Sequence, residues 1–297
     1  MKATERMQET IRRVGFIGLG VMGGAMCRNI IRRDLFAAVE VFDPNAQAVE
    51  AVLSAGGALA ESSIAIAERT DAIVLSLPDG KASASVVAQM LPHLRAGQLI
   101  IDTSTIPVRM AQQLSRLCAG VGVHYLDAPV ARTREAAESG TLSVMVGGLP
   151  EAFERARPVL NCIASDITHC GVSGNGQVVK ILNNMVLFQT VNALSEALAI
   201  GERAGVDGRL LFEVFSKGSA DSFALRNHGE KALLPRNFPD RAFSITYARK
   251  DNLCALELAG EVGVTARGAG LLEAIFSDAM QAGLSDQYFP VLHELHK

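Results

Sequence analysis

The stretch from Val14 to Asp43 limits what this chain can fold into more than any other part of it. A short apolar run, Val14-Gly15-Phe16-Ile17, enters the glycine-bearing segment Gly18-Leu19-Gly20-Val21-Met22-Gly23. A helical run follows, and a second apolar segment, Val39-Glu40-Val41-Phe42, ends in Asp43, about 20 residues past the third glycine. Strand, glycine turn, helix and strand closed by an acid make a dinucleotide-binding unit. Gly18 allows the tight turn, Gly20 lets the backbone approach a pyrophosphate, and Gly23 lets helix and strand pack closely. Leu19, Val21 and Met22 complete the segment whose backbone faces the phosphates, at the N-terminus of the helix.

The acid discriminates between cofactors. A carboxylate at Asp43 accepts hydrogen bonds from ribose hydroxyls and repels a 2′-phosphate, and the next residues, Pro44-Asn45-Ala46, bring no arginine or lysine to neutralise one. NAD is therefore expected in preference to NADP. A net charge of -3 with both signs interspersed gives no basic field for nucleic acid and no polybasic anchor for a membrane. The five cysteines, at 27, 118, 162, 170 and 254, form neither a CxxC pair nor a ligand cluster, and His293 and His296 stand without an accompanying acid or cysteine. They read as reduced thiols in a chain without a metal site. Met1 to Thr10 lacks the apolar core of a secretory signal, so a cytoplasmic enzyme is expected.

Strands and helices then alternate. Ala72 to Leu77 is a continuous apolar run, as in a strand buried on both faces, and the turn that begins at Pro78 ends it on the side expected to face the cofactor. Leu77 and Pro78 are accordingly cofactor-binding candidates. Leu99 to Asp102 precedes Thr103-Ser104-Thr105, whose hydroxyls suit either a ribose or amide contact or the capping of the next helix. Further strands are expected over His124–Leu126 and Leu142–Val146. From Gln177 to Ala204 the chain reads as one long helix, interrupted by Asn183, Asn184, Asn192 and Glu196 in a way that favours a core helix over a membrane span. Helices are expected over 207–217, 222–233, 245–261 and 271–282. The fold class is α/β: a Rossmann-like doubly wound sheet at 13–175, after a tail at 1–12, followed by an all-α domain at 176–297 joined by the long helix.

A hydride-accepting cofactor still needs a group to manage the substrate's hydroxyl proton. Lys180 is the candidate. It follows the loop Gly174-Asn175-Gly176, has apolar neighbours Val178, Val179, Ile181 and Leu182 that would lower its pKa by desolvation, and shares a helix face with Asn184 one turn on. At these residues the chain resembles the β-hydroxyacid dehydrogenases. The resemblance rests on the glycine segment with Met26 and Asn29, Asp102-Thr103-Ser104-Thr105, Asp127-Ala128-Pro129-Val130, Gly140-Thr141-Leu142, Gly174-x-Gly176-x-x-x-Lys180-x-x-Asn183-Asn184, and Lys250-Asp251-Asn252-Leu253. It implies reversible oxidation of a 3-hydroxy acid to its semialdehyde, with Lys180 as general acid/base, Asn184 holding substrate, Thr105 contacting the cofactor and Lys250 lying close to it.

One segment departs from that pattern. Many members continue Asp-Ala-Pro-Val with Ser-Gly-Gly at the substrate carboxylate, where this chain has Ala131-Arg132-Thr133. A guanidinium beside a hydroxyl suits an anion, and the pair resembles the sulfolactaldehyde reductase branch of the family. Arg132 facing solvent or a neighbouring subunit is the plainer alternative. The expected substrate is a small anionic hydroxy acid or aldehyde resembling 3-hydroxyisobutyrate; a sulfonated or dianionic aldehyde, such as sulfolactaldehyde or tartronate semialdehyde, and a catalytically silent NAD-binding protein are the alternatives. The apolar long helix points to a homodimer or homotetramer.

Overall fold

The computed structural model describes residues 10–240 and 242–296. The chain divides between Lys180 and Ile181 into two compact units. In the first, the described strands are β1 Arg13–Ile17, β2 Ala38–Phe42, β3 Ala58–Leu59, β4 Ala72–Leu75, β5 Leu99–Asp102, β6 His124–Asp127, β7 Val130–Ala131, β8 Leu142–Gly147 and β9 Ala164–Gly171. They form one sheet in the order β3-β2-β1-β4-β5-β6-β8-β7, with β9 also paired to β8. The run from β3 to β6 is parallel. Its order reverses at β1 and β4, and that switch point is where a doubly wound sheet receives a nucleotide. Beyond β6 the sheet is mixed, because β8 runs antiparallel to β6 and β7.

The helices of this unit are α1 Val21–Arg32, α2 Ala46–Leu53, α3 Ser63–Arg69, α4 Gly80–Met90, α5 Val108–Gly120, α6 Arg134–Ser139 and α7 Pro150–Leu160. Why the central strands read as unbroken apolar runs is visible in their packing. Val74, Leu99 and Ile101 enter a core with α1, α2, α6 and α7, while Ile73, Leu75 and Ile100 enter a second core with α3, α4 and α5. Side chains alternate across a strand, so a sheet covered on both faces has no polar position to spare.

The second unit is helical. Its elements are α8 Asn175–Arg203, which begins in the first unit, then α9 Gly208–Ser216, α10 Ile245–Glu261 and α11 Arg267–Gln281. A core of Phe188, Leu198, Phe212, Ile245, Phe276 and Phe289 holds them together. Two segments differ from the sequence reading. The helix expected over 222–233 contains a π-helix, Leu225–Leu233, and the last helix starts earlier than expected, at Arg267. Helical periodicity in a sequence does not separate i→i+4 from i→i+5 bonding, which explains the first. His293 and His296 lie in a 3₁₀ segment, Phe289–His296, where His293 Nδ1 lies 2.9 Å from the Ser195 hydroxyl. No cluster of three metal-ligating side chains exists among the described residues. All five cysteines are free thiols, and no described helix is long and apolar enough to cross a membrane.

Candidate active site

Four strand ends in the first unit converge on the switch point. Gly18, directly after β1, has a φ of +94°, which glycine adopts without strain. Its N–H donates to Phe42 O at the end of β2 (3.0 Å), and the Ser76 N–H after β4 donates to Ile17 O (2.9 Å). The loops after β4 and β5 are joined in turn, since Leu77 N–H donates to Ser104 Oγ (2.8 Å) and Thr103 Oγ1 donates to Leu75 O (2.6 Å). These bonds answer the question left open for the hydroxyls at 103 and 104: they tie strand ends together. The helix that follows, α5, has Pro107 at its N-cap and no side-chain cap. Thr105 is half-buried between them.

The residues here fit a dinucleotide. No side chain caps α1, whose N-cap is Gly20, and a Cβ built on Gly20 would meet nothing within 4 Å. The chain therefore presents a helix N-terminus with open space in front of it, the arrangement that accepts a phosphate. Asp43 is half-buried at the end of β2, and it also braces the turn: Oδ2 accepts from Leu19 N–H (2.6 Å) and Oδ1 from Asn45 N–H (2.7 Å). Asn29, further along α1, donates from Nδ2 to Ala137 O (2.7 Å) and so holds α6 against it.

Lys180 lies in α8 with 8% of its surface exposed, and Asn184, one turn on, is 3% exposed. In the second unit Asn184 Nδ2 donates to Asp251 Oδ2 (2.7 Å), and Asn183 Nδ2 donates to Asn184 Oδ1 (3.2 Å). Lys250 Nζ stands 3.2 Å from Asp251 Oδ1. Asp251 is thus the pivot between Lys250 and Asn184.

The Ala131–Thr133 segment is placed differently from the anion-reading expectation. Arg132 is exposed, with a φ of +87°, and its guanidinium is committed within the fold: Nη1 donates to Thr141 O (2.6 Å) and Ser165 Oγ (2.8 Å), and Nη2 to Asp166 Oδ2 (2.7 Å). The Thr133 hydroxyl caps α6 by accepting from Ala136 N–H (3.3 Å). Ala131 pairs with Ser143 across β7 and β8. A guanidinium held by a carboxylate and two further oxygens gives no support to a sulfonate reader at Arg132.

Two buried residues escaped the sequence reading. Asp127, wholly buried at the end of β6, accepts from Gly174 N–H (2.7 Å) and Gln177 N–H (3.0 Å) at the start of α8. Burial pushes its carboxyl up to about 6 against the opposing pull of those N–H donors. Gln177, equally buried, bonds the backbone on both sides of Thr105. Asp127 stood within a recognised motif, but nothing in the spacing linked it to a residue 50 positions on.

Comparison with known proteins gives the family. Residues 13–171 match the NAD binding domain of 6-phosphogluconate dehydrogenase, and residues 174–292 match the family described as NAD-binding of NADP-dependent 3-hydroxyisobutyrate dehydrogenase. The chain belongs to the β-hydroxyacid dehydrogenase family. Among curated members, it is 33% identical to 2-(hydroxymethyl)glutarate dehydrogenase of Eubacterium barkeri, over 94% of this chain and 92% of that one. It is 34% identical to 3-hydroxyisobutyrate dehydrogenase of Pseudomonas aeruginosa, over 91% and 92%. Among solved structures, a Mycobacterium tuberculosis 3-hydroxyisobutyrate dehydrogenase with L-serine is similar at a TM-score of 0.89 and 30% identity, covering 97% of this chain and 100% of that one. As a β-hydroxyacid dehydrogenase, the protein is an NAD(P)-dependent oxidoreductase that acts on the CH–OH group of a hydroxy acid.

Proposed function

We propose that the protein oxidises, reversibly and with NAD, the primary hydroxyl of a small acid of the form HOCH₂–CHR–COO⁻ to the corresponding semialdehyde, with Lys180 as general acid/base. The observation that carries the reading is a nearly buried lysine on α8, one turn ahead of a nearly buried asparagine. A lone surface lysine would be solvated, and a buried ammonium or amine in an otherwise apolar turn has a use. The relatives support the substrate class. 3-Hydroxyisobutyrate, 2-(hydroxymethyl)glutarate and L-serine, named with those proteins, share one unit, a CH₂OH on the carbon that bears the carboxylate, and differ only in R.

NAD, when bound, supplies the acceptor for the hydride that leaves the carbinol carbon. Gly18 to Met22 would hold its pyrophosphate at the N-terminus of α1, Asp43 its adenosine ribose, and Leu77, Pro78 and Thr105 the part beyond the switch point. Asp43 without a neighbouring cation makes NAD the preferred form over NADP. In oxidation, neutral Lys180 accepts the hydroxyl proton at Nζ as the C–O bond becomes a carbonyl; in reduction, its ammonium returns that proton. Asn184 orients the substrate, and Asp251 fixes the rotamer of Asn184 by accepting from its amide while engaging Lys250. The Ala131–Thr133 segment contributes its backbone to the carboxylate's surroundings, with the Arg132 side chain serving as a tie to Asp166.

The test is NADH formation with 3-hydroxyisobutyrate, 2-(hydroxymethyl)glutarate and L-serine, with tartronate semialdehyde and sulfolactaldehyde in the reverse direction, on the wild-type protein and Lys180→Ala. Turnover with at least one carboxylate substrate, and a loss of about 10²–10⁴-fold in kcat for Lys180→Ala at nearly unchanged NADH affinity, is expected. Full turnover by Lys180→Ala removes the assignment. NADH binding with no turnover on any of the five compounds favours a silent cofactor-binding protein instead.

A further inference from the structure

Gln177 lies in the first turn of α8, three residues ahead of Lys180, and is wholly buried. Its carboxamide makes both halves of a backbone-like pair. Nε2 donates to Ser104 O (2.8 Å), and Oε1 accepts from Ile106 N–H (3.1 Å), so a helix side chain holds Thr105 from both sides as a neighbouring strand would. The backbone beneath that side chain is fixed as well. The N–H groups of Gly174 and Gln177 both donate to Asp127, one to each carboxylate oxygen, and a carboxylate at a helix N-terminus is also favoured by the helix dipole.

The space for this carboxylate comes from two glycines. A Cβ at Gly147 would sit 2.6 Å from Asp127 Oδ1, and a Cβ at Gly176 would sit 2.5 Å from Met145 O and 2.8 Å from Asp127 Oδ2. Any larger residue at either position pushes Asp127 off the helix end. An α-helix is stiff over one turn, so fixing residues 174 and 177 fixes where residue 180 leaves the helix, about 4.5 Å further along its axis.

We propose that Asp127 and Gln177 form a latch that sets Lys180 relative to the Thr105 loop, and hence relative to the reacting carbon. Both are positioning residues. The inference rests on the reading of Lys180 as acid/base and adds to it the means by which one proton-transfer group is held in register with the cofactor loop. A misplacement of about 1 Å at such a group lowers rate by on the order of 10²-fold.

The experiment compares wild type, Gln177→Leu, Gln177→Glu and Asp127→Asn in the full chain, with 3-hydroxyisobutyrate and its C3-deuterated form, alongside NADH affinity and amide exchange at Ile106. Gln177→Leu removes both carboxamide bonds; Gln177→Glu keeps the acceptor for Ile106 and loses the donor to Ser104, so it remains informative if the first variant folds poorly. Expected is a kcat lower by about 10–100-fold in Gln177→Leu, less in Gln177→Glu and Asp127→Asn, with NADH affinity lowered by a smaller factor than kcat, Ile106 exchange faster in Gln177→Leu than in Gln177→Glu, and a larger deuterium effect on kcat as hydride transfer becomes limiting. Faster Ile106 exchange with unchanged kcat, or a kcat loss with an unchanged deuterium effect, makes the latch a brace of the fold and overturns the proposal. Lys180→Ala separates the two claims. Full turnover in that variant removes the acid/base reading and the latch's role with it, whereas loss of turnover there beside an unchanged Gln177→Leu overturns the latch alone.

Discussion

A side chain at Gly20 has somewhere to go within the protein, and one at Gly23 does not. A Cβ on Gly20 meets nothing within 4 Å, and its φ of -61° is open to any residue, whereas a Cβ on Gly23 would stand 2.0 Å from Gly18 O. Gly18 is fixed by both criteria, a φ of +94° and a Cβ 2.3 Å from Ser76 O. Two of the three glycines are therefore required by the fold, whereas nothing within the fold requires the third. Gly20→Ala should melt with the wild type and bind NADH about tenfold or more weakly, a loss of about 1.4 kcal/mol or more. Gly23→Ala should lower the melting temperature itself. Fluorescence titration with NADH beside thermal melts checks both, and a Gly20→Ala protein of normal affinity would place the pyrophosphate elsewhere. The motif was legible because Gly18 and Gly23 carry backbone requirements that spacing expresses, and because Gly20 and Asp43 stand at the matching distances. Gln177 was not: a glutamine in the first turn of a helix is ordinary, and only the fold brings it to Ser104 and Ile106.

Strands were legible where burial is two-sided and illegible where it is not. β4 and β5 are buried at every position and show as apolar runs. β3 has two exposed residues, and β9 reads Ala-Ser-Asp-Ile-Thr-His-Cys-Gly with only its first residue buried, so neither left a hydrophobic pattern. α7 was masked by Pro150 at its start and Pro158 inside it. The π-helix Leu225–Leu233 carries the buried His228, whose Nδ1 lies 2.5 Å from the Tyr288 hydroxyl. Burial, and secondarily Lys231, lowers this imidazole to about 4. An unfolded histidine takes its proton near 6.5, so between about 4 and 6.5 the unfolded chain binds more protons than the native one. The stability this neutral histidine contributes is whole above about 6.5 and is lost as pH falls through about 4, by about 3 kcal/mol in all. Thermal melts from pH 7 to pH 4.5 should show the transition of the helical unit falling more steeply in wild type than in His228→Gln. Parallel curves would mean that His228 is protonated in the native state.

At the scale of the whole molecule, the α8 segment beyond Ile181 has two faces of nearly the same chemistry. Ile181, Phe188, Val191, Leu194 and Leu198 are buried, yet the exposed side carries Leu182, Val186, Ala193 and Ile200. Val186, Ala193 and Ile200 recur every seven residues, which on a helix is one stripe, and Glu196 is the charged residue among the exposed positions of that stretch. A helix facing water on that side would carry lysines and glutamates there, as a solvated helical face usually does. Leu210 and Val214 on α9 and Leu271 on α11 are further exposed apolar residues of the same unit. Burying a valine or isoleucine of this kind contributes about 1.5–3 kcal/mol, so a few of them in a repeated contact are enough to hold two copies together. The protein is therefore expected to sediment as a dimer or tetramer of the 31.5 kDa chain. Val186→Lys with Ile200→Glu should shift it toward monomer, because each substitution places a charge where an apolar contact stood and weakens association by about tenfold or more. A wild-type mass equal to one chain at micromolar concentration would show that this stripe faces water, and the double variant would then leave both mass and melting temperature where they were.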